Sequence, residues 1–299
     1  MSDSKEKAAL RRHYATDAQI KTRQAIHDQY TFPPQDYKDW VLSNYQWRGG
    51  ERVLDVGCGN GLYYHPLIHR LTNGGAPIEY VGIDLSAGIL AAHPGAEASR
   101  VLSGDALELP FAAGSFDVVM ANHMLFHVEN LDRAIVEFRR VLKPGGVLLA
   151  ATNSLFNMYT LRKLLHRSAT LLSKQGSDVE PMHMPSDSFT LELGVMLLSR
   201  YFYAVMRSDL PSALIFDDIE PFMTYLESTR DLREPELPDD VRWDELMAFI
   251  RQQVLNRIVY DGNLVIDKLS GVLVATDRGD FAHRFVEARE ALAEPVEPD

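Results

Sequence analysis

The sequence predicts an α/β fold organised on a parallel sheet, on three observations. Val53-Leu54-Asp55-Val56-Gly57-Cys58-Gly59-Asn60-Gly61 reads as a buried strand that stops in a glycine turn. Short apolar, β-branched runs then alternate with helical stretches as far as Thr152, as parallel strands with crossover helices require. Leu131 to Leu142 places Leu131, Ala134, Ile135, Phe138, Val141 and Leu142 at helical spacing, and Lys143-Pro144-Gly145-Gly146 ends the run.

The glycine turn comes first in the argument. A strand, a Gly-rich turn and a helix from Leu62 to Leu71 form the first half of a βαβ unit of the doubly wound, Rossmann-like kind. Glycine suits a sharp turn that a ligand must approach closely. The following helix offers unpaired N–H groups to a polar ligand. A dinucleotide fingerprint runs G-x-G-x-x-G/A. Gly57 and Gly59 fit it, but its third position holds Leu62, and the glycines here fall as G-x-G-x-G behind Asp55.

The remaining elements follow in order. Helices are expected over Lys5–Tyr14, Asp17–Tyr30 and Asp36–Tyr45, with Phe32-Pro33-Pro34 as a break. Strands are expected at Glu79–Asp84, Arg100–Ser103, Phe116–Ala121 and Val147–Thr152, with a helix from Ser86 to Ala92. Asp84 closes its strand where an acidic side chain in nucleotide folds bonds ribose hydroxyls. Asp105 follows the third strand, as an adenine contact or a turn-stabilising residue. Asp117 opens the fourth strand and reads as structural. Beyond Thr152, helices are expected at Leu161–Leu172, Asp218–Ser228, Trp243–Ile258 and Phe281–Ala293. Gln175–Ser188 reads as a polar loop, and Gly262–Thr276 as a strand pair around Ser270-Gly271.

Composition narrows the classes. The 299 residues carry a formal net charge of -12, which argues against a phosphate-tracking, nucleic-acid-binding surface. Asp209–Glu245 holds twelve Asp/Glu against Arg230, Arg233 and Arg242, and is expected in solvent. Cys58 is the single cysteine, so no intrachain disulfide forms; in this turn it reads as a small residue before a nucleophile. The polar start lacks a secretory apolar core, and no apolar run approaches the roughly 20 residues of a membrane helix. A cytoplasmic protein without a membrane partner is expected.

VLDVGCGNG, VGIDLS, SGDALELPF, FDVVMANHMLFHV and FRRVLKPGGVLLAATN occur in this order at ordinary spacing. Together they resemble the class I S-adenosylmethionine-dependent methyltransferases, in particular the small-molecule enzymes of ubiquinone and menaquinone biosynthesis. The resemblance covers about residues 50 to 153. It implies S-adenosyl-L-methionine as cofactor, with Asp55, Gly57, Cys58 and Gly59 at its methionine end and Asp84 with Leu85 at the ribose. It places Asp105 and Ala106 at the adenine, and Asn122 and the backbone near His123 beneath the methyl donor. It also implies a seven-stranded sheet with the last strand antiparallel, whose two remaining strands we expect at Ala204–Ser208 and Val272–Ala275. Three segments are expected: a helical cap over 1–50 contributing Tyr14 or Tyr30, the cofactor-binding core over 51–153, and lid or substrate-binding insertions with sheet completion over 154–299. The acceptor is expected to be a small molecule enclosed by the aromatic N-terminal helices and residues 154–188. The helix at Leu161–Leu172 reads as a lid or a homodimer contact.

Methyl transfer needs proximity, alignment and a dry site, and an oxygen acceptor also needs a base. His127 and His123 are the candidates for base or substrate contact, with packed structural histidines as the other reading. Their i,i+4 spacing would suit a metal, but no third ligand is evident, so none is expected. His65 and His69 share the spacing and read as surface residues. Two other classes stay open: an NAD-dependent oxidoreductase or other nucleotide-using enzyme, and a non-catalytic cofactor binder. No Asn/Asp-Pro-Pro-Tyr/Phe motif of nucleic-acid methyltransferases follows the fourth strand; Asn122-His123-Met124-Leu125 stands there.

Overall fold

The computed structural model describes residues 17–70, 75–98, 100–281, 283 and 285–287. The expected helix at Lys5–Tyr14, with Tyr14, lies outside the described residues, as does most of the expected last helix. Helices α1 (Ala18–Tyr30), α2 (Tyr37–Leu42), α3 (Tyr64–Arg70), α4 (Ala87–Leu90) and α5 (Leu131–Val141) accompany strands β1 (Thr31–Phe32), β2 (Arg52–Val56), β3 (Glu79–Asp84), β4 (Val101–Ser103), β5 (Phe116–Met120) and β6 (Leu142–Asn153). Then come α6 (Tyr159–Leu172), α7 (Leu191–Leu198), β7 (Ala204–Phe216), α8 (Ile219–Glu227), α9 (Arg230–Arg233), α10 (Trp243–Asp261) and β8 (Leu264–Thr276).

The sheet has eight strands in the order β1-β7-β8-β6-β5-β2-β3-β4. β2 pairs in parallel with β3 and β5, β3 with β4, and β5 with β6. The eighth strand, beyond the seven expected, is the two-residue β1, which pairs antiparallel with β7 at Leu214 and Ala213. The chain runs outward from β2 to β4, then returns to β5 on the other side of β2. That reversal makes the β2–β5 junction the switch point where open α/β sheets bind ligands.

The chain divides into two compact units. The second is drawn from Tyr37–Ser154, Ser188–Asp209 and Gly271–Asp299, and its strands alternate between two apolar clusters. Leu54, Leu148, Ala150, Leu273 and Ala275 enter one, with Phe138 of α5. Val53, Val147, Leu149, Val272 and Val274 enter the other. A period of two with both faces buried is what a helix-covered parallel sheet demands. Helix α5 starts at Asn130, whose Oδ1 accepts from the Arg133 N–H at 3.0 Å, and buries Ala134, Ile135, Phe138 and Val141. Asp117 is structural: its Oδ2 accepts from Arg52 N at 2.9 Å and Lys143 Nζ at 2.7 Å.

The first unit is drawn from Met1–Asp36, Leu155–Asp187 and Leu210–Ser270. Among the described residues, an apolar cluster of this unit joins Ile26, Leu161, Leu165, Phe216, Phe222, Leu226, Trp243, Leu246 and Ile250. This corrects the expectation that Asp209–Glu245 lies in solvent. The segment's Asp and Glu side chains lie on outer faces, while Phe222, Leu226 and Trp243, at most 1% exposed, turn inward. A second correction concerns Gly262–Thr276, which contains one continuous strand, Leu264–Thr276, rather than a pair. Gly271 is there for close approach, not for a turn: a Cβ would sit 2.5 Å from the Ser208 carbonyl oxygen. Gln175–Ser188 contains two short 3-10 turns, Gly176–Asp178 and Pro185–Ser188.

Candidate active site

The carboxyl ends of β2, β3, β4 and β5 bring most of the expected site residues together. After β2, Gly57, Gly59 and Gly61 have φ of 69°, 55° and 81°, a left-handed region that side chains oppose. Gly57 is also constrained by space, since a Cβ there would stand 2.6 Å from Met124 Cβ. The turn is fastened to the end of β3. Gly57 N and Cys58 N donate to the Ile83 carbonyl, at 2.7 and 3.2 Å.

Asp84 completes that fastening. Its Oδ2 accepts from Gly59 N at 2.9 Å and its Oδ1 from Ser86 N at 2.8 Å. Asp84 thus clamps the turn. A carboxylate has about four acceptor positions, so two remain after these bonds. Ser86 caps α4, accepting from Ile89 N. Leu85 beside it is 75% exposed, an unusual position for a leucine.

Asp55 lies beneath the turn, 2% exposed. Its Oδ2 accepts from the Tyr80 hydroxyl at 2.9 Å, and that hydroxyl lies 3.1 Å from His93 Nε2. Gly95 N donates to His93 Nδ1 at 2.9 Å, which leaves the proton on Nε2 and makes it the donor to Tyr80. Protons thus point along one line from His93 through Tyr80 to Asp55. Burial pushes the Asp55 carboxyl up to about 7, against the Tyr80 bond and with a further rise from the Asp84 charge. Burial and the nearby His65 pull His93 down to about 4, so it is neutral. Burial also pushes the Cys58 thiol far up, which removes it as a nucleophile.

Asp105 is exposed and uses Oδ1 to accept from Leu107 N at 2.8 Å, the turn-stabilising geometry. Ala106 beside it is buried. Asn122, at the end of β5, accepts from Ala151 N at 3.0 Å through Oδ1. Its Nδ2 is buried and has no hydrogen-bond partner among the described residues. His123 has φ 53°, and its Nε2 lies 2.7 Å from the Tyr37 hydroxyl. His127 closes the 3-10 turn Leu125–His127, with its ring centroid 4.5 Å from that of Phe126. His123 contacts the same Phe126 ring from 6.5 Å.

Three residues of this arrangement escaped the sequence reading: Tyr37, Tyr80 and His93. Tyr37 supplies the aromatic hydroxyl on His123, and in the first unit the Tyr30 ring lies 5.0 Å from Phe216. Nothing local marks Tyr80 or His93, because each matters only through a partner distant in sequence. Among the described residues, no three His, Cys, Asp or Glu side chains are placed to hold a metal ion.

A Gly-rich turn clamped by an aspartate, at the switch point of this strand order, defines a class. Residues 54–150, which include this turn, match the sequence profile of a family described as a methyltransferase domain. More particularly, it is 37% identical over 117 residues to a 2-phytyl-1,4-naphtoquinone methyltransferase of Synechocystis, covering 36% of this chain and 48% of that protein. It is 35% identical over 127 residues to a demethylmenaquinone methyltransferase of Staphylococcus aureus, covering 40% and 52%. The chain thus spans about half the length of these curated relatives. The crystal structure of the YcgJ protein from Bacillus subtilis shares the fold at TM-score 0.51 and 16% identity, covering 82% of this chain and 99% of that one.

Proposed function

We propose that this chain transfers a methyl group from S-adenosylmethionine to a small-molecule acceptor. The observation that carries the reading is the Asp84 clamp on the left-handed glycine turn, with two carboxylate acceptor positions left for ribose hydroxyls. The donor set fits the cofactor. Asp55 with Gly57, Cys58 and Gly59 would hold the methionine end, Asp84 with Leu85 the ribose, and Asp105 with Ala106 the adenine edge. The orphaned Asn122 Nδ2 supplies a hydrogen-bond donor at the same sheet edge. S-adenosylmethionine brings an activated methyl on a sulfonium. The residues around it bind, align and exclude water.

His127 is the proposed proton acceptor for an oxygen acceptor, with His123 held by Tyr37 as a positioning residue. A nicotinamide dinucleotide is disfavoured by Leu62 at the third glycine position. The names of the two quinone relatives support a naphthoquinone ring as acceptor, and the net charge of -12 disfavours nucleic acid. No helix among the described residues is long and apolar enough to cross a membrane. The proposal extends to acceptor recognition by residues outside 51–153, from the N-terminal segment and from 154–188. A homodimer through α6 is part of the reading, and sedimentation analysis tests it. Incubation with S-adenosylmethionine and demethylmenaquinone, followed by mass spectrometry, tests the activity. A product one methylene heavier is expected, and transfer to none of a panel of phenols and quinones would overturn the acceptor class.

A further inference from the structure

Arg233 closes α9 in the first unit and is 4% exposed. A guanidinium has five N–H donors. One, on Nε, donates to Thr229 Oγ1 at 2.9 Å; another, on Nη1, meets Met184 Sδ at 3.4 Å. The other three have no hydrogen-bond partner among the described residues, and no carboxylate there stands within ion-pair distance. A thioether sulfur is a weak acceptor. None of its nitrogens is a fully buried atom without a partner, so the open Nη2 edge is where an outside group can complete a largely buried charge.

The surroundings sharpen the point. Arg162 and Arg23 both add positive charge near Arg233. Arg162 is neutralised by a two-pronged bond to Asp187, at 3.1 and 2.6 Å, while Arg23 Nη1 donates to the Ser228 carbonyl at 3.1 Å. Glu236 is near enough to favour the charge, but its Oε2 accepts from His183 N at 2.7 Å. Tyr225 interacts electrostatically with Arg233, and its buried hydroxyl also ends on a sulfur, Met158 Sδ at 3.2 Å. Two buried polar heads of one region therefore both rest on methionines. Methionine is unbranched and flexible, so each sulfur can swing aside for a stronger acceptor.

We propose that Arg233, with the Tyr225 hydroxyl, forms a binding site for an oxyanion, the carboxylate or phosphate of a small-molecule ligand. The planar fork matches either group in a two-pronged bond, and the phenol adds a third donor. The excess of arginine over available carboxylate gives the site its sign. This site is argued from the first unit alone and stands whether or not the cofactor reading does.

Thermal melting and calorimetry of the whole chain test it, with sodium phosphate, sodium acetate and, as reference, sodium chloride at matched ionic strength. The wild type is expected to melt higher in at least one oxyanion than in chloride. Response to phosphate alone assigns the site to phosphate groups; response to acetate assigns it to carboxylates. Arg233→Met is expected to lose that response and to melt no lower than the wild type without ligand, because an uncompensated charge has been replaced by a side chain of similar reach. Should Arg233→Met not fold, Arg233→Lys carries the comparison: it keeps the charge, loses the fork, and should bind roughly 10-fold more weakly. Equal behaviour of wild type in oxyanions and chloride, or an unchanged oxyanion response in Arg233→Met or Arg233→Lys, would overturn the assignment.

Discussion

In the second unit Asp55, a carboxylate 2% exposed, accepts from Tyr80, which is itself supported by His93. In the first unit Arg233, a guanidinium 4% exposed, has one hydroxyl and one sulfur for its five donors. Both are buried charges of the kind that proteins normally pair. One has a line of donors built from three separate segments of the chain; the other has almost nothing. A charge so supported is held in place before any ligand arrives. A charge with so few partners leaves donors for a group from outside the chain. The two units thus differ less in how they fold than in what they leave for a ligand to supply.

The largest expected effect tests how much the first unit depends on its own core. Trp243 is 1% exposed, and its indole N–H donates to Glu227 Oε2 at 2.8 Å. Trp243→Ala should cost about 3–5 kcal/mol, read by urea denaturation. A loss near zero would mean that the unit is not organised around this residue.

Next comes the support of Asp55. Tyr80→Phe keeps the ring against Tyr64, 5.0 Å away, and removes only the donor. Leaving an ionised buried carboxylate without it should cost about 1.5–3 kcal/mol at pH 8. The cost should shrink at pH 5, where Asp55 is protonated in the folded chain. Equal losses at the two pH values would remove Tyr80 from the role given to it.

The same carboxyl sets a pH dependence. Its folded value is about 7 against an ordinary 3.8. Between those values the folded chain holds a proton that the unfolded chain has released. The stability contributed below pH 3.8 is therefore lost as pH rises towards 7. Asp55→Asn should flatten that part of the melting profile; a slope unchanged in the variant would assign it to other groups. The smallest effect concerns a helix end in the second unit: Asn130→Ala should cost about 1 kcal/mol through loss of the cap on α5.

What was legible in the sequence divides along the same line. The strands from β2 to β6 were readable because their alternation, the glycine turn and Asp84 are all local signals. Asp84 was placed correctly at the end of its strand, yet its bond to Gly59 joins residues 25 apart and could not be seen. Tyr80 and His93 were silent for the same reason. In the first unit the acidic surplus of Asp209–Glu245 hides a core, because net charge carries no trace of the helical period that separates outward Asp and Glu from inward Phe222 and Trp243. Arg233 is one of three basic residues among twelve acidic ones, and only its burial against Met184 makes it unusual. Gly271 looked like a turn because a glycine in a strand and a glycine in a hairpin read alike until the neighbouring carbonyl is known.

The claim that the clamped glycine turn holds S-adenosylmethionine is tested most directly by calorimetry on the wild type and Asp84→Ala, with S-adenosylmethionine and NAD as ligands. The wild type should bind S-adenosylmethionine and not NAD. Asp84→Ala should remain folded and lose about 10- to 150-fold in affinity, the worth of a charge-assisted bond of roughly 1.5–3 kcal/mol. Binding of NAD alone, or unchanged S-adenosylmethionine affinity in the folded variant, would contradict the account.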